Sequence, residues 1–113
     1  MKLVVVFLNK VECLEDLLTA FLELGVSGAS VVDSVGMGRI ISHNVPIFAG
    51  LRSAFPGSSP GNKVILSVVD DEQAEEVADV VEDVCGSFDE PASGLLVVLP
   101  IDFARGYRPG FRD

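Results

Sequence analysis

A chain of 113 residues, 49% hydrophobic and 22% charged, has the make-up of one globular domain and not of a disordered chain. Its 17 acidic and 8 basic residues give a net charge of −9, which argues against nucleic acid as a partner, since phosphates are held by clustered Lys and Arg. No apolar run approaches the roughly 20 residues that span a bilayer, and MKLVVVFLNK is too short for a secretory leader, so the expected location is cytoplasmic.

In chain order, LVVVFL (3–8) is β-branched and apolar, a strand signal. VECLEDLLTAFLELG follows, with Leu14, Leu17, Leu18, Phe21 and Leu22 at helical spacing. Gly25 stands where a left-handed cap would end that helix. GASVVDSV (28–35) predicts a second strand. Then comes a Gly-, Ser- and Pro-punctuated connection over 40–62, carrying Ile47, Phe48, Leu51 and Phe55 on what would be one helical stripe. A passive linker needs no such side chains. Either they fold back on the body, or, with Arg52 beside them, they anchor a protein partner.

The second half repeats the plan. KVILSVV (63–69) predicts a strand, and Asp70 with Gln73 three residues on predicts a capping box. The helix through Val84 sets Ala74, Val77, Ala78, Val81 and Val84 on one face, with Glu75, Glu76, Asp79, Glu82 and Asp83 toward water. Gly86 ends it, and SGLLVVLPI (93–101) is the fourth strand. The expected fold is therefore α+β and ferredoxin-like: two βαβ units forming a four-stranded antiparallel sheet with both helices on one face. It is one domain, divided into a first βαβ unit (1–39), the long loop (40–62), a second unit (63–104) and a tail (105–113).

The strands do not alternate apolar with polar residues, and successive side chains point to opposite faces. Both faces of the sheet are thus hydrophobic, while two helices roof only one. Leaving the other wet forgoes roughly 1.5–3 kcal/mol per large side chain, so an obligate homo-oligomer is expected. Cys13 and Cys85 fit neither a disulfide framework nor a zinc quartet; both fall in helical patterns and are read as small buried hydrophobes. His43, the only histidine, has no Cys or carboxylate at ligand spacing, and no metal site is assigned.

The run GVSGASVVDSVGMGR, with its Gly-x-Gly-Arg after an acidic helix and a strand, resembles the PII family of nitrogen-regulatory signalling proteins. The likeness runs from Leu3 to about Asp71 and continues more weakly to GLLVVLPID. It implies a homotrimer, a projecting loop (40–62) that docks on a target protein, a membrane transporter among the target classes, and ATP, ADP or AMP bound in clefts between subunits. By position it assigns Ser30, Gly36, Met37, Gly38 and Arg39 to one half-site, with Gly86 and Arg105 added from the second half and the tail, Arg108 being the alternative to Arg105. Glycines let backbone approach a ligand closely, and an Arg pairs bidentately with phosphate or carboxylate.

The chain departs from the family at Ile40, where a polar residue contacts 2-oxoglutarate, and at Leu95, where a Lys is expected. Asp89 and Glu90 would repel a triphosphate, so a smaller or uncharged ligand stays open beside ATP. The only tyrosine, Tyr107, is in the tail, and uridylylation of the loop is not expected. The leading reading is a non-enzymatic regulatory trimer responding to a small-molecule effector. A CutA-like metal-associated trimer, which lacks the long insertion, and a small ferredoxin-like enzyme are the alternatives. No Ser-His-Asp or Cys-His arrangement supports the enzyme.

Overall fold

The structure, a computed structural model, describes residues 1–26, 28–37, 62–89 and 94–107. Strand β1 (Lys2–Leu8) leads through a 3₁₀ turn (Val11–Cys13) into helix α1 (Leu14–Glu23). Strand β2 (Ser30–Ser34) follows, then β3 (Asn62–Val69), helix α2 (Asp71–Cys85) and β4 (Gly94–Pro100). The four strands form one antiparallel sheet in the order β2-β3-β1-β4. This α+β arrangement is compatible with the ferredoxin-like fold expected from the sequence.

Local signals set the helix ends. At the end of α1, Gly25 takes φ 86°, a conformation glycine enters without a Cβ penalty. The Val26 N–H then donates to Phe21 O at 2.9 Å and Gly25 N–H to Leu22 O at 3.0 Å, which together make a Schellman motif. Asp70 and Gln73 form the expected capping box at the start of α2, with Asp70 N–H donating to Gln73 Oε1 at 3.1 Å. Gly86, at φ 95°, closes the helix.

One core lies between the helices and one sheet face. Val4, Val6 and Leu8 of β1 and Ile65 and Val69 of β3 meet Leu17 and Phe21 of α1 and Val77 and Val81 of α2. Gln73 and Cys85 join the buried side of α2, whereas Ala78 and Val84 remain partly exposed. Strand boundaries differ from the sequence pattern by a residue or two, and Asn62, placed in the loop by sequence, opens β3. The rest of loop 40–62 lies outside the described residues.

The opposite face follows from the register. Leu3 stands between Val68 and Leu99, Val5 between Leu66 and Val97, and Phe7 between Val64 and Leu95. Val32 extends the face onto β2 opposite Val64. Phe7 is 42% exposed, Val32 48%, Leu95 55% and Leu99 45%. No described helix covers these residues, since both pack on the other side. The sheet is hydrophobic on both faces, as the unalternating strands require.

Contrary to the expectation from spacing, Cys13 and Cys85 are not two separate buried thiols. They are joined in a disulfide, with Cα atoms 5.9 Å apart across 72 residues of sequence. The helices run antiparallel, so the start of α1 and the end of α2 meet at one end of the domain. Spacing along the chain carries no trace of that meeting.

Candidate functional site

The connection from α1 to β2 is tied down from three sides. Its Schellman turn buries Val26, Ser67 Oγ donates to Gly28 O at 2.6 Å, and Gln73 Nε2 donates to Leu24 O at 3.4 Å. Ser67 and Gln73 are themselves buried, and these bonds satisfy them. Strand β2 is held at the sheet edge by its ladder to β3, with Lys63 paired to Asp33 across it.

After β4 the chain turns across the end of the sheet. Ile101 N–H donates to Met1 O at 3.2 Å, and six residues later Tyr107 Oη donates to Asp70 Oδ1 at 2.8 Å. The Asp70 carboxylate therefore caps α2 and anchors the tail at once. Burial, and then the bond to Asp70, push the Tyr107 hydroxyl up to about 12. It stays protonated at neutral pH, so it is an anchor and not an acid-base group. Beside it, Asp71 accepts from the Met1 ammonium at 2.8 Å, which holds its carboxyl below the usual range.

Between the tail and the α1–β2 connection lies an open cleft of about 560 Å³. Leu66 and Val68, from the uncovered sheet face, line it as an apolar floor. Gly28 and Ser30 stand on one side, and Arg105 and Tyr107 on the other. The exposed Arg105 and the Tyr107 hydroxyl, itself bonded to Asp70, thus stand beside an apolar floor.

Two residues singled out by sequence, Ser30 and Arg105, meet in this cleft. Gly36 and Met37 do not line it. They follow the far end of β2, whose five residues put roughly 13 Å between its ends at about 3.3 Å per residue. There Gly36 lies against Asn62: a methyl placed on the glycine would come within 3.3 Å of Asn62 Nδ2. Gly86, closing α2, belongs to that same far end, near the start of β4. Gly38 and Arg39 lie outside the described residues, as do Ile47, Phe48, Leu51, Arg52, Phe55 and His43.

Sequence reasoning missed the floor and the anchor. Leu66 and Val68 read only as strand residues, and Tyr107 only as a tail tyrosine. Leu95, where the family pattern expects Lys, lies on the uncovered face. Among the described residues, no three His, Cys, Asp or Glu side chains are grouped to hold a metal, and no helix is long and apolar enough to cross a membrane. Compared with protein-family models and with curated proteins, the chain gives no match.

Proposed function

We propose that this chain is a PII-like, non-enzymatic regulatory protein. Copies associate through the uncovered sheet face as a homotrimer, bind a small effector in clefts between subunits, and act on a target protein through loop 40–62. The observation that carries this reading is shared lining: Leu66 and Val68 belong both to the apolar face and to the cleft that holds Ser30 and Arg105. A copy packed on the face also walls the cleft, so assembly and ligand binding are one event at one margin. The separation of Ser30 and Arg105 from Gly36, Met37 and Gly86 fits the same scheme. A compact ligand cannot touch both groups in one chain, but two neighbouring copies can supply one group each.

The proposed ligand class is an adenine nucleotide, ATP, ADP or AMP, with its base on the apolar floor and its phosphate at Arg105. Binding acts on a target only through a difference in affinity between loop states. The test is a thermal-shift series with ATP, ADP, AMP, cyclic nucleotides and 2-oxoglutarate on the wild type and on Arg105→Ala. A ligand at a hundred times its Kd adds about 2.7 kcal/mol and raises the melting temperature visibly. The shift should shrink in R105A. No shift with any nucleotide overturns the ligand class and leaves a protein-interaction module.

A further inference from the structure

We infer that the Cys13–Cys85 pair is a reversible thiol switch, opened by a small dithiol or a dithiol protein reductant, that governs the Gly86–Asp89 turn at the end of α2. The switch is independent of the nucleotide cleft, which lies at the opposite end of the sheet. The disulfide ties the 3₁₀ turn before α1 to the last residue of α2. Its two sulfurs are unequally placed: Cys85 is 6% exposed, whereas Cys13 is only partly buried and reachable from solvent. Both lie on the helix side of the sheet, so a copy packed on the opposite face leaves Cys13 as accessible as it is in the single chain.

Cys13 is also the N-cap residue of α1. Its sulfur makes no capping hydrogen bond and lies 3.0 Å from the Lys10 carbonyl oxygen, with Glu15 and Asp16 in the first turn of the helix. Exposure, rather than thiolate stabilisation, selects Cys13 as the sulfur that is attacked. The reductant's first thiolate attacks Cys13 Sγ, and the S–S bond breaks toward Cys85, which takes up a proton. The reductant's second thiolate then attacks its own sulfur in the mixed disulfide. Cys13 departs as thiolate, and the reductant leaves as a disulfide, having given two electrons.

What opens is a defined element. Just past Cys85, Gly86 turns the chain at φ 95°, and Phe88 packs back against the core. A methyl built on Gly94 would lie 3.7 Å from Phe88 Cε1, so the ring sits over the start of β4. With the bridge closed, the turn is held at both Cys85 and Phe88; with it open, Phe88 alone holds it. A domain with a buried core of this extent does not need a staple to fold.

The test uses the full chain in mixtures of reduced and oxidised dithiothreitol, with native-state maleimide tagging read by mass. Full oxidation should give no tag and reduction two together, reversibly, with far-UV circular dichroism unchanged. Amide exchange over 82–89 should accelerate about tenfold on reduction while β1 and β3 stay protected. Cys13→Ser and, separately, Cys85→Ala should each show the fast exchange without reductant. Thiols that tag in oxidising buffer overturn the proposal, as does a bridge that opens only in denaturant. So does an opened bridge that leaves exchange over 82–89 unchanged. If neither variant folds, the bridge is a structural staple and the switch is refuted.

Discussion

Replacing Phe7 by Glu tests the proposed association surface directly. Phe7 lies on the uncovered face, between Val64 and Leu95 near the end of β1, and is 42% exposed in the single chain. An aromatic side chain offers about 200 Å², so roughly 80 Å² remains to be covered, worth about 2 kcal/mol per subunit at about 25 cal/mol/Å². A carboxylate buried in its place adds a desolvation cost of several kcal/mol. The fold itself should lose little, because this side chain already reaches water. F7E should therefore sediment as a single chain at concentrations where the wild type is assembled, with a far-UV spectrum unchanged. A wild type that sediments as a stable, folded single chain at micromolar concentration refutes the reasoning. So does an F7E variant that assembles like the wild type.

Three further outcomes follow from geometry described above. Reducing Cys13–Cys85, whose residues are 72 apart in sequence, should lower the unfolding free energy in urea by up to about 4 kcal/mol through loop-closure entropy. Tyr107 ionises at about 12 folded against 10.0 unfolded, so its contribution is whole below pH 10.0 and drains as pH rises toward 12. Tyr107→Phe should flatten that alkaline fall in melting temperature; an unchanged slope would discount the Asp70 bond. Gly94→Ala should cost about 1–3 kcal/mol or more in chemical denaturation, the usual penalty of a strained backbone position. Gly94 sits at φ 128°, and an added Cβ would clash with Phe7 O.

Features encoded locally were readable in the sequence. The Gly25 cap, the Asp70–Gln73 box and the Gly86 stop each need only a few neighbouring residues, and each stands where its chemistry puts it. Strands without alternation produce a sheet apolar on both faces for the same reason: side-chain direction along a strand is strictly periodic. What escaped depends on residues far apart in the chain. Cys13 meets Cys85 because two helices run antiparallel, and Tyr107 meets Asp70 because the tail crosses the sheet end. Ser30 and Arg105 were both singled out, but only the crossing tail reveals that they share one cleft. Its floor of Leu66 and Val68 stayed hidden, since periodicity assigns a residue to a face and not to a margin.

Strand β4 closes one side of the sheet, and its outer backbone groups pair with no described strand. Gly94–Pro100 contains no charge, unlike β2 at the other edge, where Asp33 pairs with Lys63. An uncharged, greasy border of this kind is a nucleus for fibril growth whenever it is left bare, with only the terminal proline as a gatekeeper. A lysine placed at Val98 should therefore suppress amyloid-dye binding in dilute, freshly refolded samples.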